Sequence, residues 1–100
     1  MNQIYFSILA EKRLHDLLDY LELNWGSKSK EKFLKELKRC LKLISINPNL
    51  FSFFDYQQQI RGCLITPQNT LLYIVKNNNI YVITIWDNRM KLEDIRDIFR

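Results

Sequence analysis

The chain has 100 residues and a formal net charge of +4. This length predicts one domain over residues 1–100 with a single hydrophobic core. Hydrophobic residues make up 47% and charged residues 26%, with two glycines and two prolines, which excludes a disordered or low-complexity protein. The uncharged stretch over residues 43–54 contains Asn47-Pro48-Asn49, and the first residues lack a basic segment followed by an apolar one. We therefore expect no membrane span and no signal peptide, and a cytoplasmic location.

The first part of the chain predicts a strand and then a helix. Residues 2–6 suit a short strand, and Ser7 offers a side-chain oxygen that can cap the helix that follows. That helix has a stripe of apolar residues at three- and four-residue steps: Ala10, Leu14, Leu17, Leu18, Leu21 and Trp25. Gly26 ends the helix, because glycine readily takes the positive φ that closes one.

A second helix follows after a short connection. It opens near Ser27 or Ser29, and Asn47-Pro48 stops it. Its inward-facing residues are predicted to be Phe33, Leu37, Cys40, Leu41 and Ile44. A connection of about three residues predicts that the two helices pack side by side as an antiparallel hairpin.

The second half of the chain predicts a sheet. Three strands are expected over residues 58–66, 70–76 and 79–86, with turns at 67–69 and 77–78. Turns this short require antiparallel pairing, so the expected class is α+β: an N-terminal strand, a helix hairpin and antiparallel strands that form one sheet. Residues 92–99 have helical spacing and predict a short terminal helix, or a tail that orders when a partner binds.

Charge is concentrated on the second helix. Between Lys28 and Lys42 there are seven cationic residues and two glutamates. Such a face attracts an acidic protein segment or a phosphate backbone by long-range steering. Two alternatives stay open: a solvated face that only keeps the protein soluble, and binding of nucleic acid, although no aromatic residues or reading motif accompany the lysines.

The strand over residues 80–86 runs directly into Asp87-Asn88-Arg89, so three polar side chains are expected at the rim of the sheet. Fixed polar groups at a strand end are typical of a binding site. The alternative is a turn in which Asp87 and Arg89 form a surface ion pair.

The two cysteines do not have the spacing of a metal or redox motif. Cys40 falls on the apolar stripe of the second helix and Cys63 inside a strand, without a C-x-x-C pair. We interpret both as reduced core thiols, and we predict neither a metal site nor a cofactor.

The order of elements resembles the RelE/ParE superfamily of bacterial toxins over nearly the whole chain. The residues that carry the resemblance are Phe6-Ser7, Ala10, Tyr20-Leu21, Trp25-Gly26, Phe33 to Leu37, Leu41, Asn47-Pro48, Ile60-Arg61, Leu72 to Val75 and Trp86 to Arg89. The resemblance is closer to ParE, which commonly keeps the pair seen at Ile60-Arg61. It implies the toxin of a type II toxin–antitoxin module, of the kind that serves in plasmid stabilisation.

The resemblance also implies partners and surfaces. A cognate antitoxin would hold the toxin inactive, using apolar anchors and acidic side chains. The expected assembly is a homodimer of the toxin or a toxin–antitoxin heterotetramer. The basic residues of the second helix that suit this partner are Lys35, Lys38, Arg39 and Lys42. ParE-type toxins inhibit growth by binding DNA gyrase, and the residues expected to meet the target are Arg61, Asp87, Asn88 and Arg89.

The alternative within the superfamily is a RelE-like enzyme that cuts messenger RNA on the ribosome without a metal. That chemistry needs several cations on the sheet and a base and an acid for proton transfer. Here Arg61 is the one cation within the strand over residues 58–66, and Thr70 stands roughly where such enzymes place a phosphate-binding arginine. His15 lies beside the apolar stripe of the first helix. We therefore predict no catalytic residue and favour a ParE-like toxin.

Overall fold

The computed structural model describes residues 2–90, which form two helices and five strands. In chain order these are β1 Ile4–Phe6, α1 Ile8–Trp25, α2 Ser27–Ile46, β2 Phe53–Asp55, β3 Ile60–Thr66, β4 Asn69–Lys76 and β5 Asn79–Asp87. The predicted α+β order of strand, helix pair and sheet is confirmed. The short strand β2 was not predicted, and the helix expected over residues 92–99 lies outside the described residues.

All five strands belong to one mixed sheet in the order β1-β5-β4-β3-β2. The neighbours from β2 to β5 pair antiparallel, as the short turns require. At the β4–β5 turn Asn77 and Asn78 both have positive φ, the conformation of a tight two-residue hairpin. β1 instead pairs parallel with β5, Ile4 opposite Ile80, so the sheet is not purely antiparallel as the sequence suggested.

Two residues fix the ends of the helices. The Ser7 side chain caps α1 by accepting a bond from the Ala10 amide at 2.9 Å, and it donates to the Ile83 carbonyl of β5 at 2.7 Å. Gly26, with φ of 90°, is the whole connection between α1 and α2, which is shorter than the three residues expected. Neither helix of residues 2–90 combines the length and the apolar character needed to cross a membrane.

The main core lies between the helix pair and one face of the sheet. Its fully or nearly fully buried members are Ala10, Phe33, Leu37, Cys40, Ile44, Cys63, Ile65, Leu71, Tyr73, Ile80, Val82 and Ile85. The predicted stripe of α2 is therefore confirmed. The predicted stripe of α1 is confirmed except at its last residue: Trp25 was expected to point inward, but it is 68% exposed.

The opposite face of the sheet carries a second apolar cluster. Ile60, Leu72 and Trp86 are buried there, with Phe54, Ile74 and Ile83 packed against them. A register shift between Leu72 and Tyr73 makes room for an extra residue in β5. Val82 and Ile85, three positions apart, consequently both face the helices, whereas a regular strand would place them on opposite faces.

Gly62 in β3 is required by close packing on this second face. A Cβ atom at this position would lie 2.9 Å from Cγ2 of Thr70, whose hydroxyl donates a hydrogen bond to Asn88 at 2.7 Å. We expect Gly62→Ala to lower the free energy of unfolding by about 1–3 kcal/mol, because Thr70 must move and strain that bond. Leu64→Ala is the control, since Leu64 is half exposed two residues along the same strand, and it should cost less than about 1 kcal/mol. Equal losses in denaturant titrations of the two variants would contradict this account of Gly62.

Candidate functional site

The end of β5 places an aspartate and an arginine in a fixed pair. Arg89 donates from Nε to Oδ1 of Asp87 at 2.9 Å and from Nη2 to Oδ2 at 2.8 Å, and its backbone amide also bonds Oδ1 at 2.9 Å. Hydrogen bonds from the Arg89 guanidinium hold the pKa of Asp87 below its usual range. Because the Arg89 side chain is 77% exposed, the pair presents an oriented guanidinium to solvent.

Asn88, between these two residues, ties the end of β5 to the neighbouring turn. Its Oδ1 accepts the Thr70 hydroxyl, its Nδ2 donates to the Pro67 carbonyl at 3.1 Å, and its backbone amide bonds the Gln68 carbonyl at 2.8 Å. Both ends of the side chain are therefore occupied inside the protein. Asn88 makes the rim rigid, and Asp87 and Arg89 are its outward-facing members.

Arg61, the fourth residue expected to meet a target, is engaged in the fold. Its Nη1 donates to the carbonyl of Phe51 at 2.6 Å and to that of Asn49 at 3.4 Å. The guanidinium also lies over the ring of Phe53, 4.0 Å from the centroid. Arg61 thus holds the segment between α2 and β3 against the sheet, and it pairs with neither Asp55 nor Asp87.

The structure brings three of the four predicted target residues together and places the fourth elsewhere. Asp87 is opposite Asn69 on β4, whereas Arg61 is opposite Tyr73, four residues further along the same strand. At a rise of about 3.3 Å per residue this is a separation of roughly 13 Å along the sheet. Arg61 and the rim therefore belong to different parts of the surface.

The tyrosines of the two central strands are also engaged within the fold. Tyr73 is fully buried, its hydroxyl donates to the Pro48 carbonyl at 2.8 Å, and burial raises its pKa to about 12. Tyr81 stacks on Tyr5, with ring centroids 5.4 Å apart. His15 is not on the sheet: it is exposed on α1, beside the apolar stripe.

The basic residues of α2 form an exposed face, as the sequence predicted. Lys35, Lys38 and Lys42 all point to solvent. Arg39 differs, because its Nε contacts Glu36 at 2.8 Å while its Nη2 donates to the Leu64 carbonyl of β3 at 3.0 Å. Arg39 therefore occupies a main-chain acceptor at the edge of the sheet, beyond the short strand β2.

A groove of about 830 Å³ lies between the helix pair and the rim of the sheet. Its charged lining residues are Lys12, Arg13, Asp16, Lys32, Asp87 and Arg89. Its apolar and aromatic lining residues are Leu9, Leu17, Tyr20, Leu21, Trp25, Phe33 and Ile85. Four cations and two carboxylates around an apolar floor suit an acidic peptide with apolar anchors better than a small neutral ligand.

The groove was not predicted from the sequence. Tyr20 and Trp25 are 53% and 68% exposed, which is unusual for large aromatic side chains beside a core stripe. The sequence pattern that could have predicted the groove is the spacing of Leu9, Arg13 and Tyr20. These residues are four and seven positions apart, so they share one side of α1. That side borders the stripe that faces the core.

Comparison with protein families identifies the chain. The family model for the ParE toxin of the type II toxin–antitoxin system parDE matches residues 4–92. The chain belongs to the ParE toxin family. The toxin matches none of the curated proteins by sequence.

Solved structures share the fold of the toxin at low sequence identity. The chromosomal ParDE toxin–antitoxin system from P. aeruginosa aligns with a TM-score of 0.73 and 15% identity, covering 87% of this chain and 96% of that one. The YoeB–YefM complex from Staphylococcus aureus aligns with a TM-score of 0.56 and 21% identity, covering 85% of this chain and 94% of that one. A heterotetrameric YoeB–YefM complex from the same organism aligns with a TM-score of 0.54 and 22% identity, covering 82% of this chain and 91% of that one. These likenesses show that the toxin has the common fold of both groups.

The ion pair at the rim predicts that the Asp87 carboxyl titrates at a lower pH than a free aspartate. Because its folded-state pKa is depressed, Asp87 stabilises the toxin above its unfolded pKa of about 3.9, and this contribution is lost as the pH falls through the folded value. We expect Arg89→Gln to raise the pKa of Asp87 when its carboxyl carbon is followed by NMR. Lys76→Gln, at the far end of β4, is the control and should leave that pKa unchanged. An unmoved Asp87 titration in Arg89→Gln would show that the pair does not form in solution.

Proposed function

We propose that the toxin stops growth by binding a protein target, DNA gyrase, without catalysing a reaction, and that a cognate antitoxin neutralises it in the cytoplasm. The observation that carries this proposal is the engagement of the polar sheet residues inside the fold. Arg61 holds a loop, Asn88 holds a turn, and the Tyr73 hydroxyl donates to the Pro48 carbonyl. None of these three is available to take or give a proton.

The second face of the sheet supports the same proposal. A nuclease needs cations there to stabilise the phosphorane and a base to take the 2′-hydroxyl proton. Over residues 2–90 the buried residues of this cluster are Ile60, Leu72 and Trp86. Thr70, where a phosphate-binding arginine would stand, is buried and bonded to Asn88. An apolar face suits packing and binding better than phosphoryl chemistry.

The rim is the part of the structure best prepared to meet a target. Arg89 is held by both oxygens of Asp87, so little side-chain entropy remains to be lost when the guanidinium forms further charge-assisted bonds. Asn88 contributes by keeping the rim attached to the β3–β4 turn. Arg61 contributes from a distance, since it fixes the loop before β3.

The antitoxin would occupy the groove and the basic face of α2. An acidic segment is attracted by Lys35, Lys38 and Lys42, and apolar anchors can contact Tyr20 and Trp25. A segment in the groove also covers Asp87 and Arg89, which line its wall. Antitoxin and target would then compete for the same guanidinium, and this competition is the proposed basis of neutralisation. We further propose that the complex is a heterotetramer, the assembly named for YoeB–YefM of Staphylococcus aureus.

A supercoiling assay tests the proposed target. The toxin should inhibit the ATP-dependent supercoiling of relaxed plasmid by purified gyrase, and Arg89→Ala should raise the half-inhibitory concentration at least about tenfold, because it removes a charge-assisted contact. Lys76→Ala removes an exposed cation at the opposite end of the sheet and should inhibit like the wild type.

Two outcomes would reject gyrase binding. One is that the wild-type toxin leaves supercoiling unchanged at micromolar concentration. The other is codon-linked cleavage of messenger RNA on purified ribosomes, which would favour the RelE-like ribonuclease instead.

A matched pair of charge reversals tests the antitoxin surface. Lys38→Glu on α2 and Lys76→Glu in the β4–β5 hairpin change the net charge equally, and both side chains are exposed. We expect Lys38→Glu to weaken the complex with the antitoxin encoded beside the toxin by roughly fivefold or more and to reduce its salt dependence. Lys76→Glu should have little effect in the same calorimetric titration. Equal weakening by both variants would show that only net charge matters and that α2 is not the docking face.

A further inference from the structure

The two cysteines of the toxin lie against each other in the main core. Cys40 of α2 and Cys63 of β3 are both fully buried, and their Sγ atoms are 2.6 Å apart. A covalent disulfide bond is about 2.05 Å long, so the side chains already have nearly the placement that the bond needs. The 22 residues between them, 41–62, include β2 and the loop that Arg61 holds. A bond here would close that loop onto the core.

The surroundings of the pair make its two sulfur atoms unequal. The Cys63 thiol donates to Cys40 Sγ, which lowers the pKa of Cys40, and the Arg39 guanidinium at 3.8 Å lowers it further. The pKa of Cys63 is raised, since its proton is held by Cys40 and its environment is buried. Because the Arg39 guanidinium lies beside Cys40, this is the sulfur placed to be stabilised as a thiolate, which is the reactive form. The Arg39 side chain, which is itself exposed, contacts this sulfur through Nη2.

We propose that Cys40 and Cys63 are an oxidation site at which a peroxide forms an intramolecular disulfide between α2 and β3. The Cys40 thiolate attacks one peroxide oxygen and breaks the O–O bond, giving a sulfenic acid and a hydroxide that takes up a proton as water. The Cys63 sulfur then attacks the sulfenic sulfur, losing its proton, and the sulfenic oxygen leaves as a second water. Two thiols lose two electrons, and one hydrogen peroxide becomes two waters.

The bond would act on the part of the fold that carries the proposed antitoxin face. It would join α2 beside Arg39 to β3 beside Leu64, where the guanidinium already donates to the main chain. The oxidised toxin would then resist unfolding more than the reduced one, because the cross-link restricts the unfolded chain. This inference does not depend on which target the toxin binds.

The experiment uses the full-length wild-type toxin, treated with hydrogen peroxide and then unfolded in iodoacetamide without reductant. We expect an intact mass lower by two hydrogens, with neither thiol alkylated, at every protein concentration. Trypsin should release the peptides of residues 40–42 and 62–76 joined together, and dithiothreitol should separate them. The midpoint of thermal unfolding should rise by roughly 10 °C and return on reduction.

Several results would overturn the proposal. Two alkylated thiols after peroxide treatment would mean that the pair does not react, and a disulfide between two toxin molecules would mean that the sulfurs meet another copy first. Cys63→Ser and Cys40→Ser should each abolish the joined peptide and the thermal shift. A thermal shift that persists in either variant would assign the stabilisation to another modification. If a variant does not fold, the intact mass and the joined peptides of the wild-type toxin are sufficient to test whether the disulfide forms.

Discussion

The burial of β4 and β5 on both faces is the constraint on which the rest of this structure depends. On one face these strands pack against α1 and α2, and on the other they pack within the cluster of Ile60, Leu72 and Trp86. Apolar burial from both sides supplies most of the driving force for folding. It also leaves little of the central sheet for polar chemistry. Throughout residues 2–90, every buried side-chain nitrogen or oxygen atom has a hydrogen-bond partner.

Several polar side chains of the sheet therefore form hydrogen bonds that hold the fold together. Tyr73 and Arg61 both bond carbonyl groups of the segment that follows α2, so they fasten this segment to the sheet. Asn88 fastens the last strand to the β3–β4 turn. Exposed charges are found at the rim, in the groove and along α2. Their positions depend on the sheet beneath them.

Local patterns predicted much of this architecture. The cap at Ser7, the stripe of α2 and the turn at Asn77-Asn78 depend on residues close together in sequence, so their chemistry can be read directly. The ion pair of Asp87 and Arg89 was foreseen as an alternative for the same reason. Even the ends of both helices were located to within a few residues.

What could not be predicted depends on distant parts of the chain. The parallel pairing of β1 with β5 joins residues more than seventy positions apart, and the extra residue in β5 follows from packing against two faces at once. The bonds of Arg61 could not be foreseen, because its partners are main-chain carbonyls, which leave no mark in the sequence. The contact between Cys40 and Cys63 likewise required the register of α2 on β3.

The central claim is that the toxin acts by binding and not by cutting RNA. Pulse labelling of cells just after toxin induction tests it most directly, with thymidine incorporation followed beside methionine incorporation. The account predicts that DNA synthesis falls first while protein synthesis continues. Protein synthesis that stops first, with messenger RNA truncated within reading frames, would contradict it.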